Sequence, residues 1–393
     1  MAQTPDNQLD RRSFIAQGVA GFATLLMGCR SRNAKVKPER LEERIVVVGA
    51  GPAGMTAAHL LRQQGIEVAV LEAAPTHGGR IKHHTTFADF PISLGAEWVH
   101  VGPSILDEIV NDPAVNVTTE LMAYDPDDLA GYYDGRLTLE PIGDYLDRKF
   151  VGSSWLNFFD TYIYPHIADT ITFDTQVAKI DYSGDEVQLT DAKGVTHVAD
   201  RVIVTVPLKI LQRGDLTFKP ALPARRARAI RTADVWSGLK VFVEFTKKFY
   251  PAALAFPDSE TRQGQRLYYD AAYGQDTQAN ILGLFAVGYH ADSYLALSDD
   301  DRIKRVLAEL DEVFDGEASR TYVRHLVQNW NDEPYVHAAY LADDAPVSTS
   351  KHLAGSVDDR VYFAGDAYTG FNDWSSVHTA TQSAADTIEK LLS

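Results

Sequence analysis

Gly49-Ala50-Gly51-Pro52-Ala53-Gly54, followed by an acid at Glu72, is the stretch whose residue types and spacing most plainly imply chemistry. Glycines let a backbone turn tightly and approach a pyrophosphate, and a helix starting there offers unpaired N–H groups and the positive end of its dipole. An acid about twenty residues further on accepts hydrogen bonds from ribose hydroxyls. The pattern has meaning only between a strand and a helix. Ile45-Val46-Val47-Val48 is a short β-branched run of the kind buried on both faces of a parallel sheet, Ala53 to Gln64 reads as a helix, and Val68-Ala69-Val70-Leu71 reads as the next strand. These pieces predict a dinucleotide-binding βαβ unit with Gly49, Gly51, Ala53, Gly54 and Glu72 at the ligand.

Strands and helices continue to alternate beyond this unit. Val187 to Leu189, Val202 to Val206 before Pro207, Leu239 to Phe245 and Val361 to Ala364 read as strands. Asp299-Asp300-Asp301 supplies capping residues for an amphipathic helix carrying Ile303, Val306, Leu307, Leu310 and Phe314, and Val377 to Leu392 reads as a last helix. Arg225, Arg226, Arg228 and Arg231 read as a solvated helix face.

A chain of 393 residues with 45% apolar content can bury one large core or two medium ones, which excludes disordered and fibrous classes. A formal net charge of −17 argues against a nucleic-acid partner, because phosphate binding draws on clustered Lys and Arg, and it favours a cationic substrate. Cys29 is the only cysteine, so the chain cannot form an internal disulfide, a thiolate metal cluster or a downstream catalytic thiol, and no metal site is expected. Asp10-Arg11-Arg12-Ser13-Phe14 and the apolar run to Cys29 resemble a twin-arginine export signal closed by a lipobox. An export signal over 1–29, a tether over 30–44, a periplasmic location and a possible lipid anchor on Cys29 are the expectations.

Glu72-Ala73 followed by Gly78-Gly79-Arg80 resembles the second half of the fingerprint of the flavin-containing amine oxidase family, in which the glycine pair and the arginine meet the FAD pyrophosphate. Ser93-Leu94-Gly95-Ala96-Glu97-Trp98-Val99-His100, Val202 to Pro207 and Phe363-Ala364-Gly365-Asp366 are similar to further segments of that family, in its order. The resemblance implies non-covalent FAD, since Ala339 stands where some members attach the flavin through cysteine. It also implies cofactor contacts from Ala73, Gly79, Arg80, Ala96, Glu97, Trp98, Val177, Gly365, Asp366 and Val377. The implied fold is α/β, a Rossmann-like FAD-binding domain (45–105, 172–235 and 355–393) interleaved with an α+β substrate domain (106–171 and 236–354). Between Gly102 and Val177 there is room for only a reduced version of the family's helical segment.

By the same resemblance Lys240 corresponds to a lysine that holds a water near flavin N5; without it, Lys240 reads as a strand-edge lysine reaching solvent. Tyr340 would be one wall of an aromatic slot for the amine nitrogen, or else a core tyrosine. Ser376 stands where the second wall is often a tyrosine or tryptophan, which leaves Trp374 or Phe371 as substitutes. His100 would meet a distal substrate nitrogen, or else be structural at a domain junction. Glu97-Trp98 replaces the arginine with which amino-acid-oxidising members pair a carboxylate. The implied activity is oxidation of a primary or secondary amine, polyamine-like for preference, with oxygen as acceptor and peroxide as product. A dehydrogenase or desaturase using another acceptor, and a flavin-binding protein without turnover, are the alternatives.

Overall fold

The computed structural model describes residues 43–371 and 373–393. The expected export signal, Cys29 and nearly all of the tether lie outside the described residues. The tether's last residue, Arg44, is already docked: its amide donates to Asp200 at 2.7 Å and its guanidinium pairs with Asp200 and Glu186.

Strand β1 (Ile45–Val48) lies inside a six-stranded sheet, flanked in parallel by β2 (Val68–Leu71) and β3 (Arg201–Val204), with β4 (Val361–Phe363) parallel to β3. The sheet separates two apolar cores, and β1 feeds both: Ile45 and Val47 face one, Val46 and Val48 the other. That is why the run has no polar alternation. Helix α1 (Pro52–Gln63) starts on a proline, whose missing N–H is not needed in a first turn, and buries Ala53, Met55, Ala57, Ala58 and Leu61. Helix α2 (Val377–Leu391) packs on α1 through the same core.

A second, eight-stranded sheet is built around Gly238–Phe245, which pairs antiparallel with Asn280–Gly288 on one side and Tyr322–Asn329 on the other. A smaller four-stranded sheet contains Val177–Asp181 and Val187–Asp191.

The Gly102–Val177 segment differs from the shortened helical region expected of it. A hairpin, Leu129–Tyr133 with Leu137–Pro141, joins the large sheet beside Ala253–Ala255, so strands occupy much of this segment. Its second helix, Trp155–Tyr162, buries Trp155, Phe158 and Phe159 in the core that β1 and α1 share, and Ile171–Thr172 pairs with β2. The substrate-domain boundary drawn over 106–171 therefore takes in residues that belong to the nucleotide-binding core. Two local expectations are also corrected. The helix Asp299–Val313 is capped by Ser298, whose hydroxyl accepts from the Asp301 N–H at 3.2 Å, and the three aspartates fill its first turn. In the helix Ala224–Thr232, Arg226 is buried with its guanidinium over the Phe363 ring and donating to the carbonyls of His352 and Ala354, while Arg225, Arg228 and Arg231 are exposed.

Candidate active site

One cavity of about 2820 Å³ runs between the two large sheets. It is well beyond the roughly 300–1,000 Å³ of a drug-sized pocket. At one end stands the β1–α1 turn. Gly49 has φ +108°, and a Cβ there would lie 2.7 Å from the Thr205 hydroxyl. A Cβ on Gly54 would lie 1.9 Å from the Gly49 carbonyl oxygen. Gly54 is thus required by the seating of α1 on the turn, and it is not among the residues that line the cavity. Gly51 is different: nothing lies within 4 Å of its missing Cβ, and it lines the cavity. Gly79 faces Gly51 with 3.5 Å between its missing Cβ and the Gly51 Cα, so two bare backbone turns oppose each other. Glu72 accepts from the amides of Ala50 at 2.5 Å and Ala74 at 2.8 Å, while burial pushes its carboxyl above the ordinary range. Arg80 donates to the Ala339 carbonyl at 2.5 Å and pairs with both oxygens of Asp366, which ties the second glycine turn to the loop after β4. Ala53, Ala73, Ala96, Val177, Gly365 and Val377 line the same space, with Val377 opening α2.

At the other end Lys240 projects from a central strand, not an edge, and is buried. Its ammonium donates to Glu97 Oε2 at 2.9 Å and to the Ser93 carbonyl at 3.2 Å, and lies 5.1 Å from the Trp98 ring centre. Glu97 also accepts from the Tyr269 hydroxyl at 2.5 Å and pairs with Lys149 at 3.2 Å. Its carboxylate is therefore committed to lysines and a phenol, while the residue itself lines the cavity. Burial pushes the Lys240 amine below its usual value against the pull of Glu97. Glu97 is held below the usual carboxylate range because Lys240 and Lys149 outweigh the effect of burial.

Tyr340 is half-buried against the cavity, 6.1 Å from the Trp236 ring, and burial together with Asp343 drives its phenol well above its usual range. Ser376 caps α2, accepting from the Thr379 amide and bonding His378 Nδ1 at 2.8 Å. A hydroxyl with a capping task thus occupies the place of the second aromatic wall. Trp374 lines the cavity beside it, its indole N–H donating to the Ala342 carbonyl at 3.1 Å, and Ser375 donates to Leu341 at 2.8 Å. These bonds fasten the 374–375 segment to the loop that carries Tyr340. His100 Nδ1 pairs with Asp147 at 2.9 Å, and Tyr145 donates to the other Asp147 oxygen at 2.8 Å. Burial opposes a proton on His100, but Asp147 prevails and the imidazole is raised above its usual value.

Of the residues that sequence reasoning placed at the site, all but Gly54 border this one cavity. Lys149, Tyr269, Asp147 and Asp343 were missed, because each meets a partner remote in sequence and carries no local motif. Among the described residues, no group of His, Cys, Asp and Glu is arranged to hold a metal ion, and no helix is long and apolar enough to cross a membrane.

The family model described as flavin containing amine oxidoreductase matches residues 162–388, and a model for an NAD(P)-binding Rossmann-like domain matches residues 47–111. The chain belongs to the flavin-containing amine oxidoreductase family. A mouse protein, lysine-specific histone demethylase 1B, is 25% identical over 82% of this chain and 50% of its own length, and rice polyamine oxidase 4 is 24% identical over 88% of each. The chain thus spans about half the length of the demethylase. A variant of putrescine oxidase superposes with TM-score 0.73 at 16% identity, over 89% of this chain and 98% of that one. Cyclohexylamine oxidase from Brevibacterium oxydans superposes with TM-score 0.71 at 14% identity and the same coverage. The fold is that of these oxidases, with a Rossmann-like nucleotide domain.

FAD is the cofactor of this family member, and the residues fit it. The opposed glycine turns leave room for a pyrophosphate, α1 presents the unpaired N–H groups of its first turn, and Glu72 sits at the end of β2 where a ribose would bind. Arg80, although paired with Asp366, keeps a quarter of its side chain exposed, at 25%. Ala339 lines the cavity with no sulfur to form a covalent link.

Proposed function

We propose that this amine oxidoreductase oxidises a small amine carrying more than one cationic nitrogen, a polyamine-like substrate, and that oxygen is its electron acceptor. The observation that carries the reading is the polarity of the cavity along its length: a glycine-lined cradle at one end, buried Lys240 and half-buried Tyr340 further in, and an excess of acids among the remaining lining. Asp147, Asp343, Asp344, Asp373, Glu140 and Glu260 all line the cavity and outnumber the cations Arg148, Arg262, Arg266 and Lys351 that share this lining. Such walls attract and orient a polycation.

FAD, when bound, would supply the acceptor for a hydride leaving the carbon beside the amine nitrogen. The protein's own part is positioning. The Tyr340 face attracts and steers the ammonium group. The Asp147–His100 pair stands where a second nitrogen would lie. Lys240 places a fixed positive charge where negative charge accumulates during turnover, and it would orient the water and oxygen that complete the cycle. The imine product then hydrolyses in water. A carboxylate-bearing substrate is disfavoured, because the acids lining the cavity would repel it.

The test is anaerobic addition of diamines to the yellow holoenzyme, followed by air. Bleaching by diamines faster than by monoamines or amino acids, and peroxide in proportion to amine on re-aeration, support the reading. Bleaching without peroxide would assign the electrons to another carrier, and no bleaching by any amine would overturn the proposal. Acid precipitation should release the flavin into solution.

We infer in addition that the protein is exported and anchored through Cys29, on the strength of Arg11-Arg12 and the apolar run that follows. Replacing Arg11 and Arg12 by lysines should leave active protein in the cytosol, and Cys29→Ala should free it from membranes. Unchanged fractionation of both variants would overturn the inference.

A further inference from the structure

Glu97, Lys240, Lys149 and Tyr269 form a buried unit whose charges do not cancel. One carboxylate is shared by two ammonium groups, Lys240 at 2.9 Å and Lys149 at 3.2 Å, and by the Tyr269 hydroxyl at 2.5 Å. A single Lys–Glu pair would be neutral. Adding Lys149 leaves one surplus positive charge inside the protein, which is unfavourable unless negative charge meets it. The ammonium of Lys149 points away from any ligand, since its other donors go to the carbonyls of Asp270 at 3.1 Å and Ala271 at 2.9 Å. An ammonium has three donors. Lys240 gives two of its own to Glu97 and Ser93, and the third has no hydrogen-bond partner among the described residues, at a position that lines the cavity.

We propose that Lys149, acting through Glu97, is a positioning residue that supplies the surplus positive charge of this unit and so favours the reduced, negatively charged state of the flavin. The inference rests on the reading above that Lys240 stands at the reacting edge of the flavin. Without Lys149, Glu97 would draw fully on Lys240 and the unit would present a neutral pair. With Lys149, Glu97 is shared between two ammonium groups, and the unit presents a net positive charge and the free N–H of Lys240 to the cavity, even though Lys149 itself pulls the Lys240 amine down.

The measurement is the midpoint potential of the bound flavin in holoenzyme carrying Lys149→Met, Lys149→Arg or Lys240→Met, with flavin content and thermal midpoint recorded for each. Lys149→Met should retain FAD while its preference for reduced over oxidised flavin falls about tenfold, read as a potential lower by about 30 mV for a two-electron couple. Lys149→Arg should restore the parent value, and Lys240→Met should lower it at least as far. If Lys149→Met cannot be isolated folded, Lys149→Gln keeps donors for Asp270 and Ala271 without the charge and is read in the same way. An unchanged potential in the uncharged Lys149 variant, with a lowered one in Lys240→Met, overturns the proposal while leaving the Lys240 reading intact. A lowered potential that arginine does not restore also overturns it, because packing and not charge would then be the cause. No shift in either the Lys149 or the Lys240 variant defeats both the proposal and the placement of Lys240.

Discussion

The two ends of the cavity are built by different means. At the cofactor end the work is done by backbone: bare glycine turns, the start of α1, and one acid at the end of β2, all within Gly49 to Arg80 except for Asp366 and the last helix. At the amine end it is done by side chains brought from remote positions, as when Glu97 meets Lys149, Lys240 and Tyr269. A backbone device requires contiguous residues of particular type. A side-chain cluster requires only that a sheet bring distant residues together. The first leaves a signature along the chain, and the second does not.

The sharpest way to break the comparison is within the glycine turn itself. Gly54→Ala would place a Cβ 1.9 Å from the Gly49 carbonyl, a backbone atom held by β1 and α1, and should cost about 3 kcal/mol of stability, with loss of flavin as a consequence. Gly51→Ala meets no protein atom within 4 Å and should leave the thermal midpoint of flavin-free protein unchanged while weakening FAD binding at least about tenfold, or about 1.4 kcal/mol. Thermal denaturation and flavin titration of the two variants check this. Equal effects of both substitutions on the flavin-free fold would mean that Gly51 is structural too.

What the sequence made legible follows the same division. β1, α1, β2 and the acid at Glu72 could be placed because a both-faces-buried strand is a continuous β-branched run and the glycine turn has fixed spacing. The strand holding Lys240 could also be placed, but not its rank as a central strand, since period and composition are the same at an edge. The hairpin Leu129–Pro141 went unseen because the resemblance implied helices there, and its exposed Leu129 and Leu139 blur the alternation of a strand. Arg226 was taken for solvated because a run of arginines looks alike on every face; its stacking on Phe363 and its bonds to the His352 and Ala354 carbonyls set it apart. Lys149 sits in Asp147-Arg148-Lys149-Phe150, where nothing distinguishes a buried cation from an exposed one.

A second prediction probes the amine end through its charge. Lys240→Met keeps the length and apolar packing of the stem, so folding and FAD content should survive. Reoxidation of the reduced protein by oxygen, followed by stopped flow, should slow at least about tenfold, equivalent to roughly 1.4 kcal/mol of barrier. Bleaching by amine without oxygen should persist. A variant that reoxidises as fast as the parent would show that the buried lysine has only a structural task, and the contrast between a backbone end and a side-chain end would lose its chemical meaning.

The smallest expected effect lies at the mouth, where acids act at longer range. Asp343, exposed to the cavity but enclosed by protein, has its carboxyl pushed up to about 6 by burial and by the neighbouring Glu260 and Asp344. His100 is raised as well, burial being outweighed by Asp147. As pH falls through about 6, Asp343 gains a proton and loses its negative charge, while His100 becomes more fully cationic. Both changes make the mouth less attractive to a cation, so KM for a diamine should rise on acidification, and by more than KM for a monoamine of similar length. Asp343→Asn should raise the diamine KM at pH 7 by up to about fivefold, or about 1 kcal/mol, and remove part of the rise below pH 6. High salt should reduce the difference between parent and variant, because exposed charges are screened. If the diamine KM is flat from pH 7 to 5 in the parent, or if monoamine and diamine respond alike, then the acids of the mouth do not read a second nitrogen, and the preference for polycations must come from elsewhere in the cavity.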